Sequence, residues 1–299
     1  MESKEETLIV DGDILNFTIG RITEDITDFG DQVCKSFDKE AIIRHLEDGL
    51  DNIASKCGYS RENIIYSISC EKNFRKEHFP TYKANRKNVV KPLGLLWLRD
   101  YLKENAEKYN LLLIENLEAD DAMGIFGTLG DTRISIYSQD KDLFTIPVRQ
   151  WDFKKNDFIV PTEIESMRFL YTQVLTGDTV DGYKGCPKIG KVKAGRALAE
   201  CSNELEMLEA CYVRYHKVYK GSAKEELLNG DEARVELLKQ IGQARILHQV
   251  DYVTLMNFNE TYNPFKILNV CDDMLVDWVI EYKEQLAIAK KKPKKVKNV

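Results

Sequence analysis

Four groups of acidic residues stand out because each places two or three carboxylates close together in the chain. The groups are Asp11/Asp13, Glu118/Asp120/Asp121, Asp140/Asp142 and Asp178/Asp181. Gathered carboxylates repel each other strongly unless cations share them, and ligand sets made of oxygen atoms alone suit Mg²⁺ or Mn²⁺. Two such ions about 4 Å apart can activate a water and stabilise the leaving oxygen of a phosphodiester. The predicted chemistry is therefore metal-assisted hydrolysis of a phosphate ester.

The elements around these acids predict how they are brought together. Short apolar strands end directly before the first group, at Thr7–Val10, and before the third group, at Ile134–Tyr137. Ligands of an open parallel sheet bind beyond the carboxyl ends of its strands. Asp120 and Asp121 fall at the start of a predicted helix, where the helix dipole favours negative charge. A single such acid is more often a turn residue or a helix cap, so the prediction depends on the order and spacing of all four groups.

The chain of 299 residues predicts an α/β region followed by a helical region. In the first region, strand patterns at 7–10, 64–68, 111–114 and 134–137 alternate with helical patterns at 38–56, 93–109 and 119–129. This rhythm predicts a mostly parallel twisted sheet flanked by helices. The later helical patterns lie at 163–175, 190–200, 203–216, 231–256 and 272–290. The predicted divisions are 1–160, 161–289 and a disordered Lys-rich tail at 290–299,.

Composition excludes several classes of protein. The seven cysteines form an odd set without a CxxC pair, and no two of the four histidines stand at helical ligand spacing. These facts argue against a disulfide framework, a zinc ribbon and a zinc active site. No apolar run approaches the roughly 20 residues of a membrane span, and the acidic N-terminus has no signal-peptide core behind it. A soluble, cytoplasmic protein that does not bind membranes is expected.

Two basic segments point to nucleic acid although the net charge of the chain is −6. The first segment, 74–91, mixes aromatic residues with the cations Arg75, Lys76, Lys83, Arg86, Lys87 and Lys91. Such cations neutralise phosphates, and Tyr82 has the ring to stack on an unpaired base. A solvated loop and helix face would explain the charge but not the aromatic residues.

The second basic segment, Tyr183–Arg196, has five cations, no acids and three glycines. The residues expected to contact DNA are Lys184, Gly185, Lys188, Gly190, Lys191 and Lys193. A glycine-containing turn that opens a helix presents backbone N–H groups to an anion. A helix-hairpin-helix grips the DNA backbone in this way without reading the sequence. A turn that only packs two helices together is the alternative interpretation.

Six motifs occur in an order that resembles one family. They are Val10–Asp13, Asn73–Lys76, Tyr82–Arg86, Glu118–Asp121, Ser138–Asp142 and Gly177–Gly182, and the turn Gly185–Gly190 follows them. Each motif is weak alone, whereas the ordered set is specific. The chain resembles the flap endonuclease / 5′→3′ exonuclease superfamily over residues 7–200, and most of all the 5′→3′ exonucleases of tailed phages. A weaker likeness at Gly242–Ile246 extends it.

The resemblance implies a PIN-like nuclease core with two Mg²⁺ ions, which Mn²⁺ can replace. The implied ligands of the first ion are Asp11, Glu118, Asp120 and Asp121, with Asp140 close to both ions, and those of the second are Asp142, Asp178 and Asp181. Lys83 and Arg86 match the family's basic pair at the base of a helical arch, where they contact the scissile phosphate. The arch would comprise residues 74–91, with Tyr82 near the displaced base.

The same resemblance implies a helix–three-turn–helix near residues 176–200 that holds duplex DNA, often with a bound K⁺. The implied activity is hydrolysis of phosphodiester bonds at or near a 5′ end, as a 5′→3′ exonuclease, a flap endonuclease or both. The implied substrates are DNA with a 5′ end, flap or nick, and RNA–DNA hybrids left by primers. Replication proteins are implied partners, and a phage-encoded enzyme would act in the host cytoplasm.

One position departs from the family pattern. The family has an Asp at the end of the second strand, and here that position is Cys70, followed by Glu71. Either Glu71 or Asp13 takes its place, or one metal ion is held more loosely.

Three other functions fit part of the sequence. A phosphohydrolase of the haloacid dehalogenase kind also has a strand ending in Asp-x-Asp, with Asp11 as nucleophile,, but it leaves the later acids and both basic segments unexplained. A non-catalytic DNA-binding homologue would keep the fold and lose the metal ions, and the departure at Cys70 leaves this open. A single-domain ribonuclease of the PIN type would give the helical second half no role.

Overall fold

The computed structural model describes residues 6–130, 133–219 and 232–248. The chain divides into two compact units. One unit takes in the residues up to Phe169, together with Val180–Gly182 and the segment that begins at Arg245. The other unit takes in Leu170–Thr179 and Tyr183–Ala244. The predicted helix at 272–290 and the Lys-rich tail lie outside the described residues, and the predicted division at residue 160 stays a prediction.

The first unit is built on a sheet whose described strands follow the order β5-β4-β1-β6-β7-β8. These strands are β1 (Thr7–Asp11), β4 (Ile64–Ser67), β5 (Leu111–Leu112), β6 (Ile134–Tyr137), β7 (Arg149–Asp152) and β8 (Asp157–Ile159). β1 pairs in parallel with β4 and β6, whereas the edge strand β8 runs antiparallel to β7. The prediction of a mostly parallel sheet is confirmed, and β1 lies between two parallel neighbours.

Helices connect these strands and continue into the second unit. Those of the first unit are α1 (Gly12–Ile22), α2 (Lys39–Cys57), α3 (Phe74–His78), α4 (Leu93–Glu104) and α5 (Ala119–Gly127). α6 (Glu163–Thr176) begins in the first unit and ends in the second, which also contains α7 (Lys191–Leu198), α8 (Glu204–Tyr219) and α9 (Glu232–Ala244). Among the helices of the described ranges, none combines the length and the apolar character that crossing a membrane requires.

A hairpin that the sequence did not predict lies between α1 and α2. β2 (Glu24–Asp28) pairs antiparallel with β3 (Val33–Phe37), and the residues of both strands are exposed except where Glu24 faces Phe37. The alternation of apolar and polar residues that marks a half-buried strand depends on one buried face. The hairpin has no such face, so its sequence carries no strand signal.

Two apolar clusters cover the two faces of the sheet. Leu8 and Val10 of β1 belong to one cluster, together with Leu46 of α2. Ile9 belongs to the other cluster, together with Met123 of α5. Successive residues of a strand point to opposite faces, so helices cover both faces of the sheet, as the βαβ rhythm predicts.

The predicted helix at 231–256 ends early. α9 stops before Arg245, and the described residues 245–248 are not helical. The carbonyl oxygen of Arg245 accepts a hydrogen bond from Arg75, and the N–H of Leu247 donates one to Asp121. Side chains therefore bind the backbone groups that a continuing helix would use for its own hydrogen bonds.

Replacing Gly12 with alanine is expected to destabilise the protein by about 1–3 kcal/mol, the usual range for overpacking a tight site. A Cβ at Gly12 would lie 2.7 Å from the carbonyl oxygen of Ser67 and 2.8 Å from the ring of Tyr66. The matched control is Gly49→Ala within α2, where the Cβ would approach only Leu15, at 3.4 Å, and alanine improves helix propensity. Urea unfolding measures both variants, and equal midpoints would contradict the expected crowding.

Candidate active site

Asp11 ends β1 and caps α1. One carboxylate oxygen accepts a hydrogen bond from the backbone N–H of Asp13 at 3.1 Å, and the other accepts one from the Ser138 hydroxyl at 2.6 Å. Burial raises the pKa of Asp11 to about 6, although the hydrogen bond from Ser138 opposes the rise. The ionised carboxylate is thus disfavoured unless a cation balances its charge.

Ser69 links Asp13 to the start of α5. The Asp13 carboxylate accepts hydrogen bonds from the backbone N–H of Ser69, at 3.2 Å, and from its hydroxyl. The Ser69 hydroxyl oxygen in turn accepts one from the N–H of Ala119 at 2.9 Å. Sequence reasoning missed both Ser69 and Ser138 as residues that orient carboxylates. Their positions just beyond the ends of β4 and β6 were the available signal.

The structure does not bring Glu71 into the group of carboxylates, which corrects one of the two replacements considered for the missing strand-end Asp. The Glu71 side chain is 75% exposed and forms an ion pair with Lys103 of α4 at 3.6 Å. The chain turns away after Cys70, whose N–H donates to the carbonyl oxygen of Leu117. Asp13, the other replacement considered, faces Ser69 beyond the end of β4.

Glu118, Asp120 and Asp121 form a dense acidic cluster at the start of α5. Ligand oxygens of the three carboxylates lie within 4.8 Å of one another. Burial raises the pKa of Glu118, but the cations Lys83 and Arg75 outweigh this effect and bring the pKa down to about 2. Burial, followed by the charges of the two neighbouring acids, holds the pKa of Asp120 well above its usual value. Ionisation of Asp120 is therefore unfavourable unless a further cation balances its charge,.

Asp140 and Asp142 follow β6 in a short 3-10 turn. Asp140 accepts a hydrogen bond from the N–H of Asp142 at 2.9 Å, and its own N–H donates to the Ser138 hydroxyl at 3.0 Å. Burial and the nearby charge of Asp142 raise the pKa of Asp140. Asp142 forms an ion pair with Lys141 at 2.9 Å. Ser138 is thus bonded both to Asp140 and to the carboxylate at the end of β1.

Two cations that the sequence assigned to the scissile phosphate are paired with carboxylates in the structure. Lys83 Nζ lies 2.7 Å from Glu118 and 3.8 Å from Asp181, and Arg86 Nη2 lies 2.6 Å from Asp181. Burial raises the pKa of Asp181, and both cations oppose the rise. Through Lys83, Asp181 joins the same site as Glu118, which its place after a helix in the sequence did not reveal.

Arg75 and Tyr82, which were expected to contact DNA, are buried instead. The Arg75 side chain is 2% exposed and forms an ion pair with Asp121 at 2.5 Å. Tyr82 is 4% exposed, and its hydroxyl donates to Glu118 at 2.8 Å. Each side chain is bonded to an acid from a distant part of the chain. The prediction that Arg75 and Tyr82 contact DNA is therefore corrected. Lys76 and Lys87 of the same segment are exposed.

The basic turn of the second unit is largely exposed. The residues that face solvent are Lys184, Lys188, Gly190, Lys191 and Lys193, and Gly190 directly precedes α7. Gly185 is buried instead, with a φ of 65°, and its N–H donates to Gln240 at 2.9 Å. The positive φ of Gly185 suits a tight turn. Because its N–H is buried and already bonded, the prediction that Gly185 contacts DNA is corrected. Asp178 also belongs to this unit, where its backbone pairs with Tyr183.

In metal-free buffer, Asp11→Asn is expected to make the protein more stable at pH 7 by up to about 3 kcal/mol, at 1.36 kcal/mol per pKa unit. The pKa of Asp11 rises from 3.8 to about 6 on folding. The protonated Asp11 side chain therefore stabilises the folded state relative to the ionised one. This stabilisation is fully present below pH 3.8 and is lost as the pH rises through about 6,. Thermal unfolding in EDTA between pH 3.5 and about 7.5 measures this loss, and the variant should lack it. The same slope in both proteins would contradict the assignment.

The site has the composition of a divalent-cation site. Asp11, Asp120 and Asp140 all have pKa values raised chiefly by burial, so ionising them without a cation is unfavourable. They come from the ends of β1 and β6 and from the start of α5. A set of carboxylate oxygens suits a hard divalent ion. Lys83 pairs with Glu118, which belongs to the same acidic cluster as Asp120, and Arg86 pairs with Asp181, so both place positive charge where a phosphate group would require it.

Part of the chain is similar to known 5′→3′ exonucleases. Residues 46–167 match the family described as 5′-3′ exonuclease, N-terminal resolvase-like domain. The exonuclease of Escherichia phage T7 is 32% identical over 188 residues, which cover 60% of this chain and 62% of the phage protein. The chain thus spans less than two thirds of the length of this relative.

Solved structures share the fold. The T5 D15 protein co-crystallised with metal ions matches with a TM-score of 0.56 and 18% identity, over 90% of this chain and 98% of that chain. The bacteriophage T5 D15 flap endonuclease in a complex with DNA and metal ions matches with a TM-score of 0.54 and 16% identity, over the same shares. The predicted resemblance to the flap endonuclease / 5′→3′ exonuclease superfamily is confirmed.

Proposed function

We propose that the chain is a structure-specific 5′ nuclease that hydrolyses phosphodiester bonds at or near the 5′ ends of DNA, as a 5′→3′ exonuclease, a flap endonuclease or both. The observation that carries this proposal is the set of half-buried carboxylates Asp11, Asp120 and Asp140, whose pKa values burial raises. The cations Lys83 and Arg86 pair with further acids of the proposed site. Phosphoryl transfer requires positioning and charge stabilisation more than covalent chemistry from the protein. The match of residues 46–167 supports a nuclease over the haloacid-dehalogenase alternative.

Two Mg²⁺ ions are the proposed cofactors, and Mn²⁺ is a proposed substitute. Asp11, Glu118 and Asp120 would hold one ion, Asp140 would lie close to both, and Asp142, Asp178 and Asp181 would hold the other. Asp121, the fourth ligand that the resemblance implies for the first ion, is paired with Arg75. When bound, such ions activate the attacking water and stabilise the leaving oxygen. A K⁺ ion is proposed at the turn before α7, where the backbone would bind it.

The protein's own side chains bind and orient the scissile phosphate in this proposal. Lys83 and Arg86 place positive charge next to the carboxylates, and preorganised charge of this kind stabilises the negative charge that develops in the transition state. Both cations are paired with acids in the structure, so substrate binding must exchange carboxylate partners for phosphate. The Tyr82 hydroxyl orients Glu118 through its hydrogen bond.

DNA is the proposed substrate, and an RNA–DNA hybrid with a 5′ primer is a further proposed substrate. The T5 flap endonuclease, which shares this fold, has been solved with DNA. The exposed lysines of the turn before α7 supply charge for contacts to a duplex backbone, and such contacts position a protein without reading the base sequence. Replication proteins are proposed partners.

Lys191→Ala is expected to weaken DNA binding equally for all sequences, and to lower the slope of log affinity against log salt by roughly 0.9, because one phosphate fewer is neutralised. Lys191 is exposed at the first position of α7. Fluorescence anisotropy of labelled duplex DNA at several salt concentrations measures the slope. Lys155→Ala, in the exposed turn between β7 and β8, is the control. An unchanged slope would remove Lys191 from the proposed interface.

The proposed function is tested with a 5′-flap DNA labelled at either end and incubated with Mg²⁺ or with EDTA. Cutting at the junction, or stepwise loss of nucleotides from the 5′ end, is expected only with the metal ion. The two product patterns distinguish flap cutting from exonuclease action. Intact DNA with both Mg²⁺ and Mn²⁺, together with a gel shift, would identify a DNA-binding protein without nuclease activity.

A further inference from the structure

A buried ion pair ties the start of α5 to distant parts of the first unit. Asp121 is fully buried, and its two oxygens accept hydrogen bonds from the Arg75 guanidinium at 2.5 and 2.7 Å. One of these oxygens also accepts a hydrogen bond from the backbone N–H of Leu247 at 3.0 Å. Three N–H donors therefore converge on the Asp121 carboxylate, and two of them belong to a cation.

The guanidinium of Arg75 has further partners besides Asp121. It donates a further hydrogen bond to the carbonyl oxygen of Arg245, and Nη1 lies 3.5 Å from Glu118. The Arg75 side chain is 2% exposed, so it has no access to a phosphate in solvent. Arg75 thus connects an acid of the proposed metal site to the chain segment 245–247.

The segment 245–247 is packed tightly against α5. Ile246 is 3% exposed and lies in the same apolar cluster as Met123 of α5. A Cβ added at Gly124 would collide with the carbonyl oxygen of Leu247 and lie 2.8 Å from Ile246. Little space is available for the segment to shift, so its backbone groups are fixed donors and acceptors for Asp121 and Arg75.

We infer that Asp121 is a positioning residue and not a metal ligand, an inference that rests on the proposed nuclease function. To bind an ion, Asp121 would have to give up the Arg75 guanidinium and leave a buried cation without its partner, which is strongly unfavourable. The pair instead fixes the first turn of α5, which carries Glu118 and Asp120 as the cluster's ligands. Asp121 is close to these two acids because of its position in the helix, whereas its oxygens are directed to N–H donors.

Hydrogen exchange of the wild-type protein with and without Mg²⁺ tests whether Asp121 turns to the ion. The Leu247 amide reports on its bond to Asp121. Its exchange rate is expected to stay within about threefold when Mg²⁺ is bound, and to rise by about tenfold or more in Asp121→Ala, which removes the acceptor oxygen, since 1.36 kcal/mol corresponds to tenfold. Acceleration of that amide by Mg²⁺ in the wild-type protein, by tenfold or more, would overturn the inference.

Calorimetric titration with Mg²⁺ tests the positioning role. Arg75→Met is expected to weaken Mg²⁺ binding by roughly 10–100-fold, the usual effect of losing a residue that orients ligands, and Arg75→Lys should restore part of the loss. Unchanged affinity in Arg75→Met would overturn the positioning role. A wild-type protein that binds no Mg²⁺, with Asp120→Asn giving the same blank titration, would overturn the proposed function itself and this inference with it.

Discussion

Asp140→Asn is expected to lower metal-dependent cleavage of a 5′-flap DNA by about a thousandfold, while DNA binding stays close to the wild-type level. Asparagine keeps the shape and one acceptor oxygen, so it can still bond the Asp142 N–H and cap the 3-10 turn,. The change removes a negative charge from a half-buried position in the proposed metal site. Loss of such a charge removes several kcal/mol of transition-state stabilisation, and each 1.36 kcal/mol is about tenfold in rate.

Single-turnover cleavage measures the rate of the Asp140 variant, and anisotropy in Ca²⁺ measures its DNA binding. Asp100→Asn is the matched control, because its side chain is 70% exposed on α4. The control should cut at the wild-type rate. Rates for Asp140→Asn within a few-fold of wild type would remove Asp140 from the catalytic set.

Lys83→Met is expected to lower the cleavage rate by roughly 10²–10³-fold, the range for removing one group that stabilises charge in the transition state. Methionine retains the unbranched stem of lysine and removes its charge. Lys83 has a left-handed φ of 51°, and methionine is strained there to the same degree as lysine, so the backbone should be unaffected. Glu118 would lose its 2.7 Å partner, so Mg²⁺ affinity should be unchanged or higher.

Rate and metal affinity together identify the role of Lys83. Single-turnover cleavage gives the rate, and calorimetry with Mg²⁺ gives the affinity. Lys155→Met, in the exposed turn between β7 and β8, is the control for loss of a lysine charge. A drop in Mg²⁺ affinity that accounts for the whole loss of rate would mean that Lys83 organises the carboxylates and does not act on the phosphate.

The strand-end carboxylates were predictable because local patterns place them. β1 and β6 are short apolar runs with clear ends, and each is followed directly by acids. Parallel pairing of β1 with β6 sets their carboxyl ends side by side, so Asp11 and Asp140 were expected together on the sequence alone. Asp120 and Asp121 were predicted to lie at the start of a helix, where negative charge is favoured, and they lie in the first turn of α5.

The partners of these acids were not predictable. Arg75 stands in a basic segment next to the exposed Lys76 and has the same local signature. Its burial depends on Asp121, 46 residues later, and on Arg245, 170 residues later. Tyr82 is likewise held by Glu118, 36 residues away. A local pattern cannot distinguish a cation or ring that faces water from one that meets an acid of a distant element.

Contacts across the second half of the chain were also beyond local reasoning. Asp181 follows a helical region, and its place next to Lys83 is set by the loop Val180–Gly182, which returns to the first unit. Gly185 was predicted to contact phosphate because glycine suits an anion-binding turn. Its buried N–H donates to Gln240, 55 residues later, which the spacing of the turn does not indicate.

The hydrogen bond from Leu247 to Asp121 joins residues 126 positions apart, and this has a consequence for protein synthesis. At about 5–20 residues per second, a ribosome makes the two partners about 6–25 s apart. When this interval begins, the emerging chain already carries β1 and β4, and β6 with the acids that follow it is added early in the interval. The backbone donor that completes the environment of Asp121 does not yet exist. The environment of Asp121 is therefore complete in a nascent chain only after residue 247 has left the ribosome, so partly made chains lack one of the hydrogen bonds that hold this carboxylate.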